Sequence, residues 1–192
     1  MINKFYRNIS LRNSLLESLK SQENIFEAIE LMTNSIKKGN KILIFGNGGS
    51  ATQSAHFAAE MVNKFYLKRK GLPAIALTTN CGNITSIAND YDFKYIFSKQ
   101  IEAIGETDDV AMGITTSGQS KNILEALKTS KTNHLKTICL CGKNVEPLEK
   151  VNTDIIIPIN SDDTPAVQEM HLFILHTMAE ILETRFFGDK NK

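Results

Sequence analysis

The chain of 192 residues is predicted to fold as an α/β domain with a doubly wound, five-stranded parallel sheet of the flavodoxin-like type. Two observations indicate this fold. Short, continuous apolar runs recur along the chain, which is typical of strands that are covered on both faces. Longer helical segments lie between these runs, and the resulting alternation of strand and helix favours parallel strands with right-handed crossovers.

The apolar runs locate the strands, and the segments between them locate the helices. Strands are predicted at residues 41–45, 74–78, 110–115, 137–141 and 154–159. Helices are predicted at about residues 50–66, 84–104 with a break near Asn89, 121–132, 145–151 and 164–187. Ligands of such sheets bind beyond the carboxyl ends of the strands, near the point where the strand order reverses. The loops after the first, second, third and fifth strands are therefore the candidates for a site.

Two further helices precede the first strand, between about residues 3 and 38, and Gly39 follows them as a stop signal. Nothing in them suits chemistry, so residues 1–38 are predicted to pack either on the domain's own sheet or against another copy. Residues 39–192 then form the α/β domain. The apolar positions that mark the two helices are Phe5, Ile9, Leu15, Leu16 and Leu19, and Ile25, Ile29, Met32 and Ile36.

Composition excludes several classes of partner. The 22 Lys and Arg residues balance 21 Asp and Glu residues, and the net charge of +1 favours neither nucleic acid nor an anionic membrane. The apolar runs are short and the first residues lack a signal-peptide core, so a soluble, unprocessed chain is expected. Three cysteines without framework spacing fit a reducing cytoplasm. Cys139 and Cys141 alternate on a strand, where buried packing competes with a metal or redox pair.

The loop after the first strand has the sequence Gly46-Asn47-Gly48-Gly49-Ser50 and leads into a helix without proline. A helix start offers unpaired N–H groups and the positive end of the macrodipole, so this position suits an anion such as a phosphate. The glycines permit positive φ and close backbone approach. An ordinary tight turn, with Ser50 as the helix cap, explains the same residues. Neither G-x-G-x-x-G nor the P-loop pattern is present.

Polar loops also follow the second and third strands. Around Gly118, just before a helix, lie Thr115, Thr116, Ser117 and Ser120, whose hydroxyl groups could hold a phosphate together with backbone N–H groups. Taken alone, such a loop is more often a turn with a cap. Two polar loops after neighbouring strands favour one shared pocket for a phosphorylated molecule that is rich in hydroxyl groups.

The last helix is predicted to begin at Thr164-Pro165, with a capping residue followed by proline at the first helical position. Its apolar stripe is typical of a core or interface helix. Gln168, His171 and His176 interrupt the pattern. A single histidine on a helix is more often a structural residue than a ligand, so the helix alone does not choose among these three.

His56 and Glu60 lie four residues apart on the helix after the first loop and therefore share one face. Together with the loops, they resemble the phosphoheptose isomerases of the sugar isomerase (SIS) domain superfamily, from about residue 20 to 187. The matching segments are Asn47-Gly-Gly-Ser50, His56-x-x-x-Glu60, Asn89-Asp90, Thr116-Ser117-Gly118-x-Ser120 and Gln168-Glu-x-His171-x-x-x-x-His176. The resemblance implies an isomerase that converts D-sedoheptulose 7-phosphate to D-glycero-D-manno-heptose 7-phosphate, for heptose in surface polysaccharide.

The resemblance also assigns roles to residues. Glu60 matches the catalytic base and His176 its acid or ring-opening partner, and moving a proton between neighbouring carbons requires such groups. One zinc ion per subunit is implied, and its ligands are His56, Glu60, Gln168 and His176. The substrate-contacting positions are Asn47, Gly48, Gly49, Ser50, Glu60, Asn89, Asp90, Thr115, Thr116, Ser117, Ser120 and Gln168.

Helix geometry suggests how these groups are shared. Gln168 and His176 are eight residues apart, about 12 Å along a helix, so one straight helix does not bring both to a single ion. We therefore expect the final helices to pack across a subunit interface, in the homotetramer that the resemblance implies. Glu60 is expected to face the cavity shared by the loops after the first and third strands. Residues 161–164 depart from the family pattern, and their contacts stay open.

Two other functions stay open at this point. Relatives with this fold include tetrameric partners of the bacterial replication initiator and sugar-phosphate sensing domains of regulators, so the fold cannot choose between enzyme and adaptor. An adaptor has no use for the carboxylate of Glu60 and the imidazole of His176, and no helix-turn-helix segment is visible, which favours the enzyme. An isomerase of a pentose or hexose phosphate is the remaining alternative.

Overall fold

The computed structural model describes residues 2–188, and within them the sheet has the predicted five parallel strands. The strands are β1 (Ile42–Gly46), β2 (Ala74–Ala76), β3 (Val110–Thr115), β4 (Lys136–Cys141) and β5 (Ile155–Pro158). They lie in the order β2-β1-β3-β4-β5. The chain leaves β1 toward β2 on one side and returns to β3 on the other, so the order reverses between β1 and β3. Ligands of open α/β sheets bind at such a point.

Helices cover both faces of the sheet, as a doubly wound fold requires. They are α1 (Ile2–Leu19), α2 (Glu23–Lys37), α3 (Gly49–Val62), α4 (Cys81–Asp90), α5 (Ser98–Ile104), α6 (Lys121–Thr132), α7 (Glu146–Lys150) and α8 (Thr164–Phe187). The predicted break near Asn89 is confirmed, because α4 ends at Asp90 and a short 3₁₀ turn, Phe93–Tyr95, precedes α5. Among residues 2–188, no helix combines the length and the apolar character that crossing a bilayer requires.

Two apolar layers hold the helices against the sheet. Along β1, Ile42 and Ile44 face the layer formed with α2, α3 and α8, whereas Phe45 faces the layer formed with α5 and α6. All three are fully buried, and each contributes roughly 2 kcal/mol through its removal from water. Cys139 and Cys141 are buried in the second layer, and burial raises the pKa of Cys141 to about 12. The packing interpretation of these two cysteines is therefore confirmed.

Two predicted helix caps are wrong, because in each case another residue takes the position. α3 begins after Gly48, whose φ of 53° favours glycine, and Ser50 is buried in the first turn against the end of β1. α8 is capped by Asp163, whose carboxylate accepts a hydrogen bond from the Ala166 N–H at 2.9 Å, so Thr164 is the first helical residue and not the cap.

The amino-terminal helices pack only partly on this chain. α2 buries its predicted apolar positions in the layer that contains α8. In α1, Leu15 and Leu19 are buried and Leu16 is partly buried, but Phe5 and Ile9 are exposed. The first half of α1 therefore presents apolar side chains at the surface, where a second copy can cover them.

Candidate active site

Two polar loops meet at the carboxyl edge of the sheet, where the strand order reverses. Gly46 of β1 lies in register with Ile114 of β3, so the loops that follow these strands are direct neighbours. The side chains of Asn47 and Asn122 join them through two hydrogen bonds of 2.9 and 2.8 Å. The topology thus brings together the loops after β1 and β3, and β1 lies between β3 and β2, whose polar loop was expected to share the pocket with that of β3.

The loop after β3 carries a cluster of hydroxyl groups. Thr115 Oγ1 lies 3.3 Å from Ser117 Oγ and 3.2 Å from Ser120 Oγ. The Gln119 N–H donates a hydrogen bond to Ser117 Oγ at 3.1 Å. α6 begins directly after Ser120, so its unpaired N–H groups and the positive end of its dipole lie beside these hydroxyl groups. Such an arrangement suits a phosphate, whose oxygens accept hydrogen bonds.

A cavity of about 630 Å³ opens beside this loop. Lys143, on the loop after β4, lines this cavity and brings a positive charge to it. Its Nζ pairs with Asp162 Oδ2 on the loop after β5. The loop after β4 is missing from the predicted candidates, although it leaves the sheet at the same edge as the others. Residues from the 161–164 segment, whose contacts were open, form one wall. The complete lining is Thr116, Ser117, Gln119, Lys143, Asn144, Ser161, Asp162 and Thr164.

Asn89 and Asp90 lie at the end of α4 and are not part of that lining. Both residues are exposed, and Asn89 Nδ2 donates a hydrogen bond to Asp90 Oδ1 at 2.8 Å. No residue of α4 is fully buried, and Ile84, Ile87 and Ala88 hold this helix by packing against the second apolar layer. A role for the two side chains in substrate binding therefore stays a prediction.

Gln168 lies with the loops. A Cβ placed on Gly49 would lie 2.5 Å from Gln168 Nε2, so the start of α3 touches the second turn of α8. Gln53 Nε2 reinforces this contact by donating a hydrogen bond to the main-chain oxygen of Gln168 at 2.7 Å. Nothing in the sequence pattern marks Gln53, because its contact joins residues 115 positions apart.

His56, Glu60 and His176 form a second cluster farther along α3 and α8. His56 Nε2 lies 2.8 Å from His176 Nε2 and 3.5 Å from Glu60 Oε1. The two helices run side by side in the same direction, since Gly49 approaches Gln168 and, about two turns later, His56 approaches His176. The side chains of His56 and Glu60 are 47% and 25% exposed, so the cluster is open to its surroundings.

Within one chain the two groups of residues are separate. Ser50 and Glu60 are ten residues apart on α3, a rise of about 15 Å, and Gln168 and His176 are about 12 Å apart on α8. Among the described residues, no side chain of the histidine–glutamate cluster lines the loop cavity. That cavity does not include the loop after β1, so the expectation that Glu60 faces the space shared by the loops after β1 and β3 stays a prediction.

The donor atoms of the cluster suit zinc, but one chain does not complete the predicted site. Two imidazole Nε2 atoms converge at 2.8 Å and need only a small separation to share a zinc ion, whose bonds to nitrogen are about 2.0–2.1 Å long. Gln168 lies too far along α8 to join them. Over residues 2–188, no three His, Cys, Asp or Glu side chains converge closely enough to hold a metal ion. The four-residue site of His56, Glu60, Gln168 and His176 stays a prediction.

A buried ion pair holds the segment that supports the cluster. The Glu183 carboxylate accepts hydrogen bonds of 2.6 to 2.8 Å from three consecutive main-chain N–H groups, beginning at Phe65, and from Arg69 Nε at 2.7 Å. Burial alone raises the pKa of Glu183, but these hydrogen bonds bring it below its ordinary value. Arg69 Nη2 also donates to the main-chain oxygen of Glu60 at 2.9 Å, and the Phe65 ring lies 5.8 Å from that of His176.

His171 belongs to neither group. It is fully buried, and its Nε2 lies 3.2 Å from the main-chain oxygen of Cys141. Burial lowers the pKa of His171 to about 4, although the contact with the Cys141 oxygen opposes this shift, so the imidazole is neutral near pH 7. The interpretation of His171 as a structural residue fits this position, with Nε2 as the nitrogen that has a partner among the described residues.

The fold and the loop cavity define a class first: an α/β domain whose ligand edge suits an anionic molecule. The family model of the SIS domain matches residues 5–142, so the chain is a SIS domain protein. It is 44% identical over 186 residues to the phosphoheptose isomerase of Thermodesulfovibrio yellowstonii, with 92% of each chain covered. It is 45% identical to that of Clostridium acetobutylicum, over 95% of this chain and 92% of the relative.

A solved structure agrees with these sequence relatives. The phosphoheptose isomerase from Neisseria gonorrhoeae superimposes with a TM-score of 0.88 at 33% identity, over 95% of this chain and 98% of that chain. The chain therefore belongs to the phosphoheptose isomerase family and is a sugar-phosphate isomerase.

Proposed function

We propose that the protein converts D-sedoheptulose 7-phosphate to D-glycero-D-manno-heptose 7-phosphate, an aldose–ketose isomerisation that supplies heptose for surface polysaccharide such as lipopolysaccharide or capsule. One observation carries the proposal: the chain has both a hydroxyl-lined cavity near the start of α6 and, on α3 and α8, a cluster of one carboxylate, Glu60, and two imidazoles, His56 and His176. Membership of the family supports the substrate. An adaptor protein needs no ionisable cluster of this kind.

The chemistry follows from the functional groups. Converting the 2-ketose to the aldose requires a base to remove a proton from C1, which gives an enediol, and to return a proton to C2. In the proposal the Glu60 carboxylate carries this proton. His176 moves the other proton from O1 to O2, because an imidazole can donate through one nitrogen and accept through the other. The hydroxyl groups of the loop after β3 and the start of α6 hold the phosphate at the opposite end of the sugar.

We also propose that each complete site takes groups from more than one chain of a homotetramer. Glu60 lies about 15 Å along α3 from Ser50, and a heptose phosphate held at the loops is shorter than this separation. Phe173 is half exposed and lies three residues before His176, so a partner that covers Phe173 also covers the cluster. Exposed Phe5 and Phe26 extend the apolar surface onto α1 and α2.

In this proposal the assembled site binds one zinc ion per subunit. His56, His176 and Glu60 offer two imidazole nitrogens and a carboxylate, a donor set that catalytic zinc sites use. Gln168 would have to come from another chain. No step described above depends on the ion.

A reducing cytoplasm is the proposed location. Cys81, Cys139 and Cys141 are all free thiols, and Cys81 is exposed. An oxidising compartment would leave an exposed thiol open to disulfide exchange.

The test is to incubate the purified protein with D-sedoheptulose 7-phosphate and follow aldose formation by NMR. We expect turnover by the native chain and a loss of about 10²–10⁴-fold in kcat for Glu60→Gln, which keeps the shape of the side chain but removes its charge. Glu102→Gln on α5 is the matched control, because Glu102 is exposed and pairs with Lys99 on the surface, and it is expected to keep full activity.

Each result decides between the functions considered. Turnover of a pentose or hexose phosphate in place of the heptulose phosphate would change the substrate. No turnover of any sugar phosphate would favour the adaptor, and full activity of Glu60→Gln would remove Glu60 as the base.

A further inference from the structure

A reciprocal pair of carboxamides joins the loop after β1 to the start of α6. Asn47 Nδ2 donates to Asn122 Oδ1 at 2.9 Å, and Asn122 Nδ2 donates to Asn47 Oδ1 at 2.8 Å. Both distances are those of well-formed hydrogen bonds. A carboxamide has two N–H donors and an oxygen with two acceptor positions, so this pairing takes up half of the capacity of each side chain.

The two partners differ in burial. Asn122 is 3% exposed in the first turn of α6, whereas Asn47 is only partly buried. A buried carboxamide requires its hydrogen bonds, because an unsatisfied polar group costs about 1–3 kcal/mol. The core therefore fixes Asn122, and Asn122 in turn fixes Asn47.

The pair lies where the fold places a ligand. Asn47 directly follows β1, and Asn122 comes two residues after Ser120 of the hydroxyl loop that follows β3. The strand order reverses between β1 and β3, which is the usual ligand position in such sheets. Gly48, the next residue after Asn47, is the cap from which α3 starts. Holding Asn47 thus sets the direction of the first N–H groups of α3 relative to the hydroxyl groups before α6.

We infer that Asn122 is a positioning residue, which acts through Asn47 and keeps the two anion-binding loops at a fixed separation. The inference rests on the proposed isomerase function and deepens it. The Asn47 side chain orients the loop through one donor and one acceptor position, and its second N–H and second acceptor position stay available for the predicted contact with the substrate.

The experiment is a double-mutant cycle on KM and kcat for D-sedoheptulose 7-phosphate. Asn122→Ala and Asn47→Ala each break the same pair, which weakens binding of substrate and transition state alike. We expect KM to rise about tenfold in either variant, with kcat within about twofold of the native value. Because the pair is lost only once, the double variant is expected to show the same tenfold rise in KM and not a hundredfold rise.

Ser130→Ala is the matched control for stability. Ser130 is another fully buried polar residue of α6, near its other end, where its hydroxyl group donates to the main-chain oxygen of Ala126 at 2.8 Å. The variant is expected to lower Tm without changing KM. Should Asn122→Ala fail to fold, Asn47→Ala tests the same pair from the partly exposed side.

Three results would overturn the inference while the isomerase function stands. They are an unchanged KM in both single variants, losses that multiply in the double variant, and a rise in KM for Ser130→Ala equal to that of Asn122→Ala. A native protein that turns over no sugar phosphate would instead overturn the proposed function.

Discussion

The loop cavity and the histidine–glutamate cluster are built in opposite ways. The cavity lies at the ends of buried strands, and its walls come from the loops after β3, β4 and β5 of one chain. The cluster lies on α3 and α8, where the His56 side chain is 47% exposed. A parallel sheet gathers its anion-binding loops by topology alone. The topology of the sheet does not gather groups that lie on its outer helices in the same way.

Mixing two impaired variants gives the largest expected effect. Glu60→Gln disables the cluster, and Thr116→Val combined with Ser117→Ala disables the loop cavity. If each site takes its two halves from different chains, co-expression re-forms about a quarter of the native sites, since each half is intact with a probability of one half. The isomerisation rate of the mixture is then expected to exceed that of either variant at least about tenfold. A mixture with only the summed rates, or a fully active monomer in sedimentation, would contradict the shared site.

The ion pair between Arg69 and Glu183, which holds the segment beside the histidine–glutamate cluster, can be broken by a substitution of Arg69. Arg69→Met leaves the Glu183 carboxylate buried without its cation, which is expected to lower the free energy of unfolding by about 3–5 kcal/mol. Urea denaturation measures this loss. Lys99→Met is the control, because its ion pair with Glu102 is exposed and is worth about 1 kcal/mol or less. Equal losses in the two variants would mean that the buried pair does not anchor the segment from Phe65 to Arg69.

His171 lies on α8 between Gln168 and His176, and its buried imidazole predicts how stability depends on pH. Its pKa is about 4 in the folded chain and about 6.5 when unfolded, so the unfolded chain binds the extra proton between these values. The contribution of His171 to the free energy of unfolding is therefore expected to be fully present above about pH 6.5. The free energy of unfolding is expected to fall by about 3 kcal/mol as the pH drops to 4. Urea denaturation from pH 4.5 to 7.5 measures the slope.

The control for that slope is His134→Asn. His134 is exposed and has a φ of 61°, which asparagine also adopts, so this variant is expected to keep the native pH dependence. His171→Gln is expected to flatten it. The same slope in native protein and His171→Gln would assign the pH dependence to other groups.

Zinc binding has the smallest expected effect on the folded protein. A hundredfold excess over Kd stabilises a protein by about 2–3 kcal/mol, so zinc should raise the Tm of the assembled native protein by about 5–10 °C. The same addition is expected to leave His176→Gln unchanged and to act normally on His134→Asn. A zinc-induced shift that persists in His176→Gln would place the ion elsewhere.

Much of the fold was predictable because strands that are buried on both faces of a sheet require continuous apolar runs in the sequence. All residues of β1 and β3 are buried, so their runs are uninterrupted and their loops could be assigned to one edge. The hydroxyl groups from Thr115 to Ser120 were found in this way. The helix caps were harder to predict. Ser50 and Thr164 are residue types that favour the N-cap, but Gly48 and Asp163 occupy the N-cap positions of α3 and α8.

Other site features depend on contacts that no local pattern reports. Asn122 meets Asn47 across 75 residues, and Lys143 reaches the cavity from a loop that the sequence did not select. The meeting of His56 with His176 joins positions 120 residues apart. Such partners become neighbours only when helices pack on the sheet.

By itself, the sequence determined the α/β fold, the edge of the sheet at which the polar loops lie and the residue types that suit proton transfer. Hydrophobic periodicity and the rules of parallel sheets act along or between neighbouring strands, so they can be read from the order of residues. Only the tertiary structure decided that His56 and Glu60 of α3 lie beside His176 of α8, because the two helices become neighbours only when both pack on the sheet.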